Sequence, residues 1–407
     1  MSLSRRAFVR SFGVGEPPAF SGEIVAARGR EALVAEFGVA AVQQGRPGAG
    51  AQTLQEFLRM MDDPETIRIS SNENPMGPGA SAYKAMIAAL DTSNRYPMNA
   101  SPSMMDLRTQ LGKKYGTKAE NVILGDGSGE ILENAVRAFT SPLKALVNAS
   151  PSYLSPEQTA TRIGTPIKHV ALTADLKIDL GAMATAAKGA GLIFLCNPNN
   201  PTATGHTKKD IADFVATMRK ASPTTAILID EAYIDYATGS GVETAVEIAL
   251  ANPRVFVART FSKAFGMAGL RLGYTVGQVE TMKKLDEYTM PYNANVMALA
   301  AAAASLGDPA HLDQERQRNS AARQFTMDWF NKNGFKPTDS QTNFVFVNIG
   351  RPASVFRDAC RQSKVLVGRD FPPLEKTHAR ISIGTMDEMK RAVGVFAKVL
   401  GTATTSA

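Results

Sequence analysis

The stretch ARTFSKAFGMAGLRLGY, residues 258–274, holds a single lysine, Lys263, followed by Gly266, Gly269 and Gly273, with Arg271 eight positions on. A lysine amine can attack a carbonyl carbon or contact a phosphate, although most lysines are solvated surface residues. The local window does not decide between these. The ends of three neighbouring apolar runs carry more information. GLIFLC (191–196) leads into NPNNPTATG, with Asn197, Asn199 and Asn200 between prolines. TAILID (225–230) closes on Asp230 and is followed by Glu231, Ala232 and Tyr233. RVFVAR (254–259) runs into Thr260, Ser262 and Lys263.

Each of these taken singly has an ordinary explanation. Asn-Pro is a common turn former, and an aspartate after a strand can cap a helix. Together, at successive strand ends, they set an amide, a carboxylate, a phenol and an amine along one edge, where ligands of open α/β sheets bind. Upstream, LGDGSGEILENAVRAF (124–139) reads as strand, glycine-rich turn and helix. Such a turn aims backbone N–H groups at an anion, but it lacks the full G-x-G-x-x-G spacing of a dinucleotide site.

An anion-binding helix start combined with Lys, Asp, Tyr and Asn fits pyridoxal phosphate. The lysine would link to the aldehyde. The aspartate would keep the ring nitrogen protonated, so that the ring draws electrons from the substrate. Asn200 and Tyr233 would hydrogen-bond the ring O3′. Arg271, Thr260 and Ser262 would complete the phosphate cradle, arginine's planar fork suiting that geometry. Gly266 and Gly269 are expected to let backbone approach closely around the lysine.

The elements that must position these groups are legible from about residue 120 onward. NVILG (121–125) and KALVNA (144–149) join the three runs above as strand candidates, and KKDIADFVATMRKA (208–221) has apolar residues at helical spacing. Strands alternating with helices predict an α/β fold with a mostly parallel central sheet flanked by helices.

Composition narrows the function classes. The chain has 407 residues, 44% hydrophobic and 20% charged, with a formal charge of +7. That length allows two or three domains with sizeable cores. No block of Lys and Arg would track a nucleic-acid backbone. Two cysteines, Cys196 and Cys360, and four histidines lack metal-ligand spacing, so neither zinc nor a disulfide framework is expected. No apolar run of about 18 residues predicts a membrane span. SRRAFVR at 4–10 resembles a twin-arginine export signal through Arg5 and Arg6, yet Glu16, Pro17, Pro18 and Glu23 make the following segment polar. Export, a degenerate signal and a plain basic arm all stay open. QQGRPGAGA (43–51) reads as a linker.

As a set, SNENPMGP (71–78), NRYP (94–97), CNPNNPT (196–202), DEAYIDY (230–236), RTFSKAFGMAGLRLGY (259–274), PYNANVMA (291–298) and RISIGT (380–385) resemble the fold-type I, class I/II aminotransferases, and within them the histidinol-phosphate aminotransferases. The resemblance covers roughly residues 65–400. It implies Lys263 as the cofactor-linked catalytic lysine, Asp230 on the pyridine nitrogen, Tyr233 and Asn200 on O3′, and Tyr153 stacked on the ring. It implies that Ser128, Gly129 and Glu130 offer backbone N–H groups to the phosphate, beside Thr260, Ser262 and Arg271. Tyr96 would reach the phosphate of a neighbouring subunit's cofactor, which implies a homodimer with shared sites. Arg380 would bind a carboxylate, Arg369 a substrate phosphate, and Asn74 would also lie at the substrate.

The implied domains are an N-terminal arm or signal at 1–50, a large cofactor-binding domain at 96–292, and a small domain from 51–95 and 293–407. The implied activity is an amino-acid biosynthetic transamination in two ping-pong halves. It would run between histidinol phosphate, or a related or aromatic amino acid, and 2-oxoglutarate. The alternative is another fold-type I enzyme, such as an oxidase, lyase or decarboxylase. A regulator would need a DNA-binding module, and residues 1–64 show no such pattern. The chain departs from the family pattern at Gly129, where an acidic residue is usual, at Ala203, which takes a glycine position, and at Gly368 beside Arg369.

Overall fold

The apolar runs become strands because their side chains alternate between two buried layers. The computed structural model of the protein describes residues 59–98, 103–239 and 241–402. The twin-arginine motif and the 43–51 linker lie outside them. Among the described residues the strands are β1 (Ile67–Ile69), β2 (Val122–Asp126), β3 (Leu146–Ser150), β4 (Ile167–Ala171), β5 (Leu192–Cys196) and β6 (Ala226–Asp230). They continue as β7 (Val255–Thr260), β8 (Leu272–Gly277), β9 (Lys336–Pro337), β10 (Phe344–Asn348), β11 (Val365–Val367) and β12 (His378–Ser382).

Seven of them form one sheet in the order β2-β8-β7-β6-β5-β3-β4. The pairs from β4 through β7 are parallel, whereas β8 runs antiparallel to both β7 and β2. Ile193, Leu195, Ile227, Ile229, Val255 and Val257 face one core with the helix Lys208–Ala221. Leu192, Phe194, Leu228 and Phe256 face another with the helix Gly127–Phe139. A one-residue slip would exchange the two sets, and each fully buried side chain of this kind contributes about 1.5–3 kcal/mol. The helix Lys208–Ala221 starts at a capping box in which Thr207 and Asp210 satisfy each other's backbone N–H. Among the described residues no helix is long and apolar enough to cross a membrane.

A further core gathers Ile67, Ile69, Phe330, Phe356 and Phe396 around the antiparallel β12-β10-β9 sheet and the parallel β1-β11 pair. The helices Ala80–Ala89 and Val296–Leu306, placed with the small domain on sequence, send Ala82, Ala298 and Leu299 into the first sheet core instead.

The long helix Pro309–Lys332 joins the two regions. Its Arg323 donates from Nη1 to the carbonyls of Tyr236 and Thr342 at 3.1 and 2.8 Å. Its Arg318 donates to Gly384 O at 2.7 Å, and the Tyr236 hydroxyl donates to Glu315 at 3.0 Å. These bonds set β12 against the loop after β6.

Candidate active site

Asp230 ends β6, side by side with Cys196 at the end of β5. Its side chain is 2% exposed, and its Oδ1 accepts the N–H of Ala232 at 3.2 Å. Burial pushes its carboxyl up to about 7, against the pull of that hydrogen bond and of Lys263. The adjacent Glu231 points the other way, as period-2 alternation requires, and binds Arg259, Thr244 and the N–H of Ala245. A single acidic pair thus divides into a structural brace and a buried carboxyl at the strand end.

Lys263 follows β7. Its Nζ donates to Ser71 O at 3.3 Å and lies 5.7 Å from the centroid of the Tyr233 ring. Gly266 has φ +71°, and a Cβ there would meet Gly77 C and O at 2.2 Å, so close backbone approach does require glycine. Gly269 is a correction. A Cβ there meets nothing within 4 Å, while at Gly273 it would lie 2.5 Å from Ser128 N. The space cleared by the third glycine is that of the helix start, not of the lysine.

That helix start, Gly127–Phe139, has no side-chain cap from Asp126. The first-turn N–H groups of Ser128, Gly129 and Glu130 lack intrahelical acceptors, as at any helix N-terminus. Arg271, in the left-handed region at φ +54°, lies beside them. Its Nη2 would be 2.2 Å from a Cβ at Gly127, and its Nε is 3.7 Å from Asp126 Oδ1. Thr260 Oγ1 accepts from Ser262 N at 3.0 Å, which folds both hydroxyl residues at the end of β7. Glu130 does more than offer its N–H. Its carboxylate accepts from Asp126 N, Met290 N and Asn293 Nδ2 at 2.7, 3.0 and 2.7 Å.

Tyr233 is buried, and burial holds its phenol above the ordinary range. Its hydroxyl accepts from Asn200 Nδ2 at 3.2 Å and from Asn72 Nδ2 at 3.1 Å. Arg380, on β12, donates to Asn200 Oδ1 and to Ser70 O, both at 2.7 Å. Its guanidinium lies 4.7 Å from the Phe371 ring centroid, and that of Arg369 lies 4.5 Å from the same ring. Tyr153 is 38% exposed and close enough to Tyr233 to act on it electrostatically.

Two expected residues stand apart. Asn74 is occupied by backbone at both ends of its amide, donating to Ala264 O at 3.1 Å and accepting from Met76 N at 2.9 Å. It braces the chain beside Lys263. Tyr96 is 67% exposed and stacks on Tyr292 at 4.7 Å. Asn72, Ser70, Ser71 and Ser382 were not anticipated. Ser71 and Asn72 lie within the SNENPMGP motif and Ser382 within RISIGT, so membership of those motifs was the available signal.

Tested against these groups, pyridoxal phosphate fits. The buried Asp230 carboxyl, raised by desolvation, suits a cationic ring nitrogen, which would favour its ionised form. The glycine-lined helix start with Arg271 suits a phosphate dianion. The Tyr233 hydroxyl, with two N–H donors on its oxygen, has its proton to give to an acceptor.

The family model described as aminotransferase class I and II matches residues 64–396. The chain is 32% identical over 358 residues to a histidinol-phosphate aminotransferase of Moorella thermoacetica, covering 87% of this chain and 91% of that one. It is 34% identical over 366 residues to histidinol-phosphate aminotransferase 2 of Pseudomonas fluorescens, covering 88% and 96%. The crystal structure of histidinol-phosphate aminotransferase from Sinorhizobium meliloti, in complex with pyridoxal-5′-phosphate, matches with a TM-score of 0.77 at 28% identity, covering 88% of this chain and 96% of that one.

Proposed function

The chain belongs to the class I and II aminotransferases, and on that premise we propose that it moves an amino group from histidinol phosphate to 2-oxoglutarate in two ping-pong half-reactions. Its cofactor is pyridoxal phosphate, which when bound supplies an aldehyde for the lysine and a ring that draws electrons from the donor's α-carbon.

The residues divide that work. Lys263 Nζ would hold the cofactor and would serve as the general base for the donor's α-proton. Asp230 would pair with the ring nitrogen. Tyr233 and Asn200 hold O3′, and Tyr153 covers the ring. The N–H groups of Ser128, Gly129 and Glu130, with Thr260, Ser262 and Arg271, hold the phosphate. Arg380 binds the carboxylate of 2-oxoglutarate and glutamate.

One observation carries the choice of donor: the Arg369 and Arg380 guanidiniums stand on the same Phe371 ring. Two adjacent cations suit a site that accepts a carboxylate in one half-reaction and a phosphate in the other. A second reading, in which an aromatic amino acid is the donor, needs only Arg380, whose fork Asn200 and Ser70 already orient. Tyr96, exposed and stacked on Tyr292, supports a homodimer in which it reaches the partner's cofactor phosphate.

The test is a donor panel with 2-oxoglutarate, following glutamate formation. Histidinol phosphate should be used best. If it is not used and an aromatic amino acid is, the second reading replaces the first. Consumption of donor without stoichiometric glutamate would point to an oxidase, lyase or decarboxylase instead.

A further inference from the structure

We propose that Asn72 is a positioning residue, which fixes the hydroxyl of Tyr233 as a hydrogen-bond donor toward the cofactor ring. The inference rests on the pyridoxal phosphate reading and is independent of the amino donor.

Asn72 is 1% exposed and sits in the left-handed region at φ +56°. Every polar group it owns is committed. Its N–H donates to Ser382 Oγ at 2.9 Å, and Ser382 Oγ donates back to Asn72 Oδ1 at 2.7 Å. Its carbonyl accepts from Asn343 Nδ2 at 2.9 Å. With Oδ1 turned to Ser382, the amide nitrogen faces Tyr233 Oη at 3.1 Å.

The second amide on Tyr233 is oriented in the same way. Arginine has no acceptor, so the atom of Asn200 facing Arg380 is its oxygen and its nitrogen faces Tyr233. Arg380 and Ser382 are two residues apart on β12 and share one face of the strand. The strand therefore grips two asparagines whose amide nitrogens meet on one phenol oxygen. A hydroxyl oxygen accepting two N–H groups has both lone pairs used, and its proton must point to a third group. Asn200 Nδ2 carries a second N–H that can serve the ring oxygen in the proposed site while the first stays on Tyr233, and Asn72 Nδ2 supplies the other donor on that phenol.

A proton donated to the ring oxygen stabilises its anionic form, which lowers the pH at which the lysine–cofactor linkage loses its proton. The ionisable groups acting on Tyr233 are Arg380 from β12, Cys196 from β5, Tyr153 from the segment after β3 and Lys263 after β7. Asp230 acts in turn on Cys196. None of these is altered by a change at Asn72.

The experiment is a pH titration of the visible absorbance of the holoenzyme. Asn72→Gly keeps the left-handed backbone and removes the amide. Its midpoint should rise by roughly 0.4–1 pH unit, the worth of one ordinary hydrogen bond. Asn72→Asp presents an acceptor in place of the donor, draws the Tyr233 proton to itself, and should raise the midpoint further. Ser382→Ala keeps the Asn72 amide but removes the hydroxyl that holds both its Oδ1 and its backbone N–H, and should give a smaller rise. A midpoint unmoved in Asn72→Gly, with only the melting temperature lowered, would overturn the proposal. If that variant does not fold, an unmoved midpoint in Ser382→Ala overturns it equally. An unmutated protein that takes up no pyridoxal phosphate would instead overturn the cofactor reading beneath it.

Discussion

Nη1 of Arg380 donates to Oδ1 of Asn200 at 2.7 Å, while Nη2 of the same guanidinium donates to Ser70 O at 2.7 Å. The arginine proposed for the substrate is thereby held by the asparagine proposed for the cofactor. Its fork is oriented before any carboxylate arrives, which reduces the ordering cost of binding. Lysine, a point charge without a planar fork, would not present paired N–H groups in one plane to a carboxylate.

Arg380→Ala should lower kcat/KM for 2-oxoglutarate and for amino-acid donors alike, by about one to three orders of magnitude, since each charge-assisted hydrogen bond is worth about 1.5–3 kcal/mol. Arg369→Ala should reduce use of histidinol phosphate steeply and spare an aromatic amino acid. Steady-state kinetics on both donors check this. Equal losses on both in Arg369→Ala would make that residue structural and remove the support for a phosphate-bearing donor.

The raised Asp230 carboxyl makes the cofactor-free protein pH-sensitive. In the unfolded chain the group titrates near 3.8, and in the folded chain near about 7. The folded state therefore binds more proton between these values, and stability contributed by the protonated form is lost as pH rises through about 7. The span is on the order of 4 kcal/mol. Asp230→Asn should flatten this dependence in urea melts of cofactor-free protein between about pH 5 and 8. It should also slow the α-proton step by orders of magnitude in single turnover. Identical pH profiles for the two proteins would show that the carboxylate is ionised throughout.

Gly266→Ala combines a left-handed backbone with a Cβ placed 2.2 Å from Gly77 backbone atoms. The backbone strain is about 1–2 kcal/mol and the overpacking about 1–3 kcal/mol more. Gly269→Ala meets nothing within 4 Å and should change stability little. Denaturant midpoints of the two variants should differ accordingly, and a matched loss in both would contradict the backbone packing described at Gly266.

Tyr96→Ala should weaken cofactor binding by about ten- to a hundredfold, the loss of one hydrogen bond to a charged group, if its hydroxyl reaches a partner's phosphate. Lys263→Ala should abolish turnover and the lysine-dependent absorbance. Mixing and refolding the two variants should regain activity, because the hybrid contains one site with both groups intact. A protein that runs as a monomer by sedimentation, or mixtures with no regained activity, would defeat the shared-site dimer.

The strands and the strand-end residues could be read from local pattern. GLIFLC, TAILID and RVFVAR became β5, β6 and β7 to within a residue or two, and KKDIADFVATMRKA became the helix Lys208–Ala221. The reason is that burial on both sheet faces demands continuous apolar runs, and a capped amphipathic helix carries its own boundaries. Asp230 and Lys263 were legible for the same reason, each being fixed by the end of its own strand. The glycines divided: Gly266 was read correctly, but the openness at Gly269 depends on what lies opposite, which periodicity does not encode. At Asn74 the structure adds two backbone bonds, since a polar residue in a site motif looks the same in sequence whether or not backbone also holds it. The joining of Asn72 and Ser382 to Asn200, Tyr233 and Arg380 lay beyond sequence. These residues come together from segments as much as 310 positions apart, through the helix Pro309–Lys332 that sets β12 against the loop after β6. Local sequence determines which face of a strand a side chain takes, whereas only the packing of one region on another determines which amide meets which hydroxyl.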